Sequence, residues 1–208
     1  MADESRRGYT PEAFKHWLDD DRDGCSTRAE VLITEAVEPP PTPGACCALS
    51  GGSWFSCYDA RTVRSASGMD VDHLVPLAEA WDSGAHACSA ARRQAFANDL
   101  DAEYTLVAVS GRSMRAKADQ EISQWLPPAG DVHCRYAADW VATKLRRQLA
   151  LDEAEHQALF DLAQNCSDRR SPTKSRHDPA ALVIAGRGGP VPVRTAGPGP
   201  PRRRPTAP

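Results

Sequence analysis

The chain has 208 residues, 41% of them hydrophobic, with a formal net charge of −3 and seven cysteines. That length and apolar fraction suit one globular domain with tails, and no run approaches the ~18 to 20 consecutive apolar residues of a membrane-spanning helix, which excludes an integral helical membrane protein. Charge is unevenly spread: residues 168–208 carry nine Lys or Arg against two Asp, net +7, which leaves 16 basic and 26 acidic residues, net −10, in residues 1–167. An acidic body is a poor general surface for duplex DNA, because Lys and Arg on phosphates supply most non-specific affinity.

The N-terminus, MADESRRGYTPEAF, has no apolar segment behind its charges, so the expectation is a chain without an export signal. Thr10, Pro11 and Glu12 have the form of a helix start, and Phe14, Trp17 and Leu18 recur at helical spacing, which predicts a short amphipathic helix over 11–18. DDDRDGC is an acidic turn. It lacks the terminal Glu of a twelve-residue calcium loop and is read as solvated. In the following segment Thr27-x-x-Glu30 suits a helix start and VLIT suits a strand, so both remain open. EPPPTPG (38–44) is a stiff connector, and ACCALS and SWFSCY flank Gly51-Gly52 as the arms of a β-hairpin.

GMDVDH begins as a strand or loop, after which Pro76 opens a helix with Leu77, Ala80 and Trp81 on one face. SAARRQAFANDL predicts a helix with Ala91, Ala95 and Phe96 inward; YTLVAVS (104–110) predicts a strand, followed directly by a helix-compatible GRSMRAKADQ. Residues 131–150 predict a long helix carrying Tyr136, Trp140, Val141 and Leu145, and Asp152 caps a last helix ending near Cys166. From Ser167 onward proline, glycine and arginine dominate, a composition that predicts disorder. The expected organisation is a flexible 1–8, a domain over 9–166, and a basic tail over 167–208 whose Arg202, Arg203 and Arg204 could bind nucleic acid or an acidic surface, or simply solubilise the tail. The cysteines include no CxxC pair, so disulfides are a better reading than zinc, with an odd thiol left over.

Asp72 and His73 are the candidate chemistry. Phosphodiester hydrolysis needs a base for water and a hard cation for the charge that builds on phosphorus-bound oxygens, and strand alternation can aim an Asp at the cation and the next His at the water. The other histidines, His16, His86, His133, His156 and His177, have no such context and are expected at the surface; the tryptophans are expected mostly in the core.

DVDHLVPLAEAW, FANDL, LVAVS and SMRAKADQ, in that order, together with DRDGC, CALSGG, YDART and QWLPP, resemble the HNH nucleases typified by the C-terminal domain of GmrSD-type modification-dependent restriction enzymes, in their actinobacterial variety. The resemblance runs from Tyr9 to Cys166. It implies an α+β fold with a ββα-metal (His-Me finger) core plus additional helices and a hairpin, and an endonuclease that hydrolyses DNA with Mg²⁺ or Mn²⁺. His73 would be the general base, Asp72 a metal ligand and Asp70 a ligand or supporting group. Asn98 would brace the histidine loop, Lys117 would contact phosphate, and Asp119 with Gln120 would close the motif. Where the family has a metal-binding asparagine, this chain has Met114, a soft thioether unsuited to Mg²⁺. One ligand is then missing unless Asp70, Asp119 or water replaces it, and the alternative implied is a catalytically impaired module that binds nucleic acid or a partner protein. The resemblance also implies disulfides from Cys25 to Cys46 or Cys47 and from Cys134 to Cys166, favouring a secreted protein over the cytoplasmic one that the N-terminus suggests. DNA is the expected partner, with RNA open and no membrane; nothing in the residues sets oligomeric state.

Overall fold

The computed structural model describes residues 5–41 and 47–166, which lie in one compact unit. The expected disordered tail and Cys46 fall outside the described residues. The fold is α+β, with two small antiparallel sheets and helices around them. The first sheet has the order β1 (Ala36–Glu38), β2 (Ser53–Ser56), β3 (Arg61–Val63), and the second pairs β4 (Met69–His73) with β5 (Leu106–Ser110). Helices α1 (Thr27–Thr34), α2 (Leu77–Asp82), α3 (Ala90–Ala97), α4 (Gly111–Lys117), α5 (His133–Arg147) and α6 (Glu153–Gln164) complete the unit.

The β4–β5 ribbon organises the interior. Its register sets Asp70 opposite Val109, Asp72 opposite Val107 and His73 opposite Leu106. Because side chains alternate across a strand, Val107 and Val109 enter one apolar cluster with Leu74, Phe96, Tyr136 and Trp140, while Leu106, Ala108, Met69 and Val71 enter another with Leu32 and Trp54. Both faces are therefore covered, and all five residues of β5 are buried. Ser110 caps α4 by accepting from Ser113 N, so strand passes to helix without a loop.

Several expected elements take other forms. Over 11–18 only Pro11–Ala13 is helical, as a 3-10 turn, and Trp17 has φ +58°. The Asn98 amide explains this by holding Lys15 O and Leu18 N from outside, which replaces the backbone bonds of a helix. The segment left open after the acidic turn is helical first, capped by Ser26, and extended only at β1. The hairpin is not built across Gly51-Gly52: β2 pairs with β1 and β3 instead. The two glycines, at φ +71° and +78°, turn the chain into β2, and a Cβ on Gly52 would lie 2.8 Å from the Trp54 ring and 3.1 Å from Glu38 O. Ala91 and Ala95 are exposed, as are Val141 (37%) and Leu145 (74%), whereas Phe96, Tyr136 and Trp140 are buried as expected.

The disulfides are Cys25–Cys47 and Cys134–Cys166. The second joins α5 to the end of α6, across which Lys144 makes ion pairs with both Glu79 and Glu155. Burial raises the Glu155 carboxyl to about 7, against the pull of Lys144 and with help from Glu79. The folded protein thus holds a proton that an unfolded Glu, near 4.5, releases, and stability falls as pH rises across that window. We expect the wild-type urea midpoint minus that of Glu155→Gln, both followed by tryptophan fluorescence, to fall from about pH 4.5 to about pH 7, a comparison in which groups common to both proteins cancel; a difference independent of pH would refute the assignment.

Candidate active site

β4 carries three polar residues, Asp70, Asp72 and His73, and alternation turns the adjacent Asp72 and His73 to opposite sides of the strand. Asp72 is 1% exposed, and its carboxylate accepts from Lys117 Nζ at 2.8 Å (Oδ1) and 2.6 Å (Oδ2) and from Tyr58 Oη at 2.8 Å. Lys117 is fully buried at the end of α4 and also donates to the carbonyls of His73 and Leu74 at 2.9 and 3.0 Å. Burial pushes the Asp72 carboxyl up and the Lys117 ammonium down, each opposed by the charge of the other, and it holds the Tyr58 hydroxyl protonated.

His73 is 7% exposed, and its Nε2 lies 2.9 Å from Ala97 O. A carbonyl only accepts, so Nε2 carries the proton and Nδ1 keeps the lone pair. Burial lowers the imidazole to about 4, so the ring is neutral at physiological pH. Trp17 covers it with ring centroids 5.0 Å apart, Phe96 stacks at 6.4 Å, and His16 stands edge-on at 6.1 Å.

Asp72, His73, His16 and Trp17 line a cleft of about 250 Å³ shared with Tyr9, Met114, Ala118 and Asp119. The structure thus brings Asp72, His73, Met114 and Asp119 together. Asn98 lies one residue beyond the Ala97 carbonyl; its Oδ1 accepts from Leu18 N and Thr27 Oγ1, both at 3.0 Å, and its Nδ2 donates to Lys15 O at 2.7 Å and Gln94 O at 2.9 Å. It therefore holds the segment that carries His16 and Trp17 against α3. Asp70 is placed apart: it lines a different groove, with Arg28 3.7 Å away. Lys117 is also placed otherwise than a phosphate-contacting lysine would be, because burial and four oxygen neighbours occupy its ammonium.

His16, Trp17 and Tyr58 belong to this cleft or its support, and sequence reasoning put the first two elsewhere. The signal for them is tertiary: an irregular segment pinned by Asn98 has no periodic pattern. The acidic turn brings the carboxylates of Asp19, Asp21 and Asp23 within 4.8 Å of one another, all exposed. They accept from the backbone of Asp23, Cys25 and Gly24, which accounts for their convergence as turn caps.

No family model matches the chain, and no solved structure matches it. A protein of Arthroderma benhamiae described as an uncharacterized secreted protein is 39% identical over 159 residues, which cover 76% of each chain. The chain belongs to that protein's family. The relative is labelled secreted, this chain holds two disulfides, and no described helix is long and apolar enough to cross a membrane.

The Asp72–Lys117 pair yields a stability test. Removing one partner of a buried ion pair strands the other charge, at a cost of about 3–5 kcal/mol. Lys117→Met should lose about that much in urea unfolding, and adding Asp72→Leu should recover part of it. A double variant no more stable than Lys117→Met would show that the stranded carboxylate is not the cause.

Proposed function

We propose that this family member is a metal-dependent endonuclease of the HNH type, hydrolysing DNA phosphodiesters in the cleft between β4 and α4, with β4, β5 and α4 as its ββα-metal core. The observation that carries the reading is the neutral His73 ring, whose Nε2–H is fixed on Ala97 O so that Nδ1 remains as a base beside a carboxylate.

The fit of a divalent cation rests on the oxygen donors of the cleft. A carboxylate offers about four lone-pair positions, and three of those on Asp72 are used by Lys117 and Tyr58, which leaves one on Oδ1. Asp119 is exposed in the same cleft. Mg²⁺ commonly binds through one or two carboxylates and keeps several waters, so Asp72 and Asp119, which line the same cleft, are the candidate ligands in place of Met114. Lys117 beside Asp72 and the thioether of Met114 both weaken the site. When bound, the cation would supply charge neutralisation at the phosphate oxygens.

The chain's own part is positional and basic. His73 Nδ1 takes a proton from the attacking water as its oxygen bonds to phosphorus, the P–O ester bond breaks, and the departing alkoxide takes a proton from solvent water. Trp17 and Phe96 keep the ring in place and exclude bulk water from it. Lys117 fixes Asp72 and the carbonyls of His73 and Leu74, which holds the strand end rigid. Export to an oxidising compartment follows from the two disulfides and the secreted relative.

A second reading, an impaired module that binds nucleic acid or a partner protein without cutting, is favoured by one feature: Met114 stands in the cleft where a hard donor is needed. Plasmid cleavage by the full chain with Mg²⁺ or Mn²⁺, beside His73→Ala, Met114→Asn and a chelator control, separates the two. The enzyme predicts cleavage that chelation and His73→Ala abolish, with a loss of about 10²-fold or more for the base, and faster cleavage by Met114→Asn. DNA binding without cleavage in all three proteins would support the module. An RNA transcript in the same assay reports whether the 2′-hydroxyl polymer is also cut.

A further inference from the structure

Beyond the cleft, β4 and α4 share a second concavity. This open groove of about 510 Å³ is lined by Arg61 and Thr62 of β3, Ser67, Asp70 at the start of β4, Ser110, and Arg112 and Arg115 of α4. Arg61, Arg112 and Arg115 are exposed. No salt bridge engages these three among the described residues, in contrast to Arg6, Arg135, Arg146 and Arg147, which pair with carboxylates. The one carboxylate in the lining is Asp70, which faces Arg28 at 3.7 Å. A Cβ built on Gly111 would lie 3.2 Å from Arg115 Nη1 and 3.3 Å from Asp70 Oδ2, so guanidinium and carboxylate converge over this glycine. With three arginines against one aspartate the lining is net positive, on a body whose first 167 residues carry net −10.

We propose that Arg61, Arg112 and Arg115 form a binding site for the phosphate backbone of duplex DNA and set the path of the strand toward the cleft. The choice of polymer rests on the nuclease reading; the anion chemistry does not. Guanidinium groups match phosphate oxygens in pairs and stay charged at all relevant pH. Spacing agrees with a continuous track: Asp70, in the groove, and Asp72, in the lining of the cleft, are two residues apart on one face of β4, roughly 7 Å at ~3.3 Å per residue, and one DNA strand carries a phosphate about every 3.4 Å of axis. On a body of net −10 a local cluster of three arginines can orient an approaching polyanion. The serine and threonine hydroxyls add donors without base selectivity, in keeping with a contact that positions and does not read sequence.

The test is fluorescence anisotropy of a short labelled duplex with the full chain in chelator, where no cleavage occurs, across a chloride series. Arg61→Gln/Arg112→Gln/Arg115→Gln should bind more weakly, and its plot of log K against log salt should be shallower than that of the wild type by about 2.7, the slope of three phosphate contacts. Arg115→Lys keeps the charge and should keep the slope. Arg202→Gln/Arg203→Gln/Arg204→Gln isolates any contribution of the basic tail. The proposal is overturned if the groove variant matches the wild type, if the loss occurs only in the tail variant, if the wild type fails to bind at low salt, or if inorganic phosphate at matched ionic strength displaces the duplex. A wild type that cuts plasmid while the groove variant binds normally removes the track and leaves the nuclease. A wild type that never cuts but whose groove variant loses its salt slope removes the nuclease and leaves the track.

Discussion

The ammonium of Lys117 is surrounded by oxygen: both atoms of the Asp72 carboxylate and the carbonyls of His73 and Leu74 lie within 3.0 Å. A ribbon buried on both faces has no water to solvate a polar side chain, so an aspartate in β4 must bring its own counter-charge. That constraint decides the rest of the local structure. It requires α4 to follow β5 closely enough for Lys117 to reach under β4, which the Ser110 cap allows, and it requires Tyr58 to turn its hydroxyl inward. The cleft wall is consequently stiff, and the carbonyls that might fray where β4 gives way to α2 are tied.

The opposite side of the ribbon is held by other means. His73 faces a wall made of Phe96 and Ala97 from α3, and the lid of that wall is the irregular segment through Trp17. Neither a helix nor a strand, this segment is tied by two hydrogen bonds of the Asn98 side chain, to Lys15 O and Leu18 N, and by Thr27 on Leu18 O and Arg93 on Ala13 O, while Asn98 also bonds Thr27 and Gln94. A single amide therefore connects the N-terminal segment, α1 and α3 around the imidazole. Asn98 acts on the histidine through the segment that covers it, which is a longer route than bracing the histidine's own loop.

Much of this was legible in the residues. A strand within the expected 104–110, the helix directly after it, the cap at Asp152 and the disulfide from Cys134 to Cys166 follow from local patterns or from the resemblance, because each is set by neighbours in sequence or by a spaced motif. The errors share one cause. Residues 11–18 show helical spacing, but Asn98, more than 80 positions away, supplies the backbone partners. Gly51-Gly52 has hairpin chemistry, but β2 finds better partners in β1 and β3. Lys117 appears in the motif as a free cation, and only burial reveals that Asp72 already claims it. His16 carried no signal, since its place in the cleft comes from that same non-periodic segment.

The charge distribution gives the two concavities different characters. In the cleft every strong charge has a fixed opposite, apart from Asp119 at its mouth, so the local field there is nearly balanced and the neutral imidazole is undisturbed. In the groove three guanidinium groups outweigh one carboxylate and face solvent. A polyanion approaching a body of net −10 meets overall repulsion, and the groove where β3 and α4 meet is a local exception, with three arginines against one aspartate. Attraction and chemistry are thereby separated by a few residues of one strand. Charges that attract the polymer would, if placed in the cleft, compete with any cation for the same phosphate oxygens; placed at the far end of β4 they orient the polymer and leave those oxygens open.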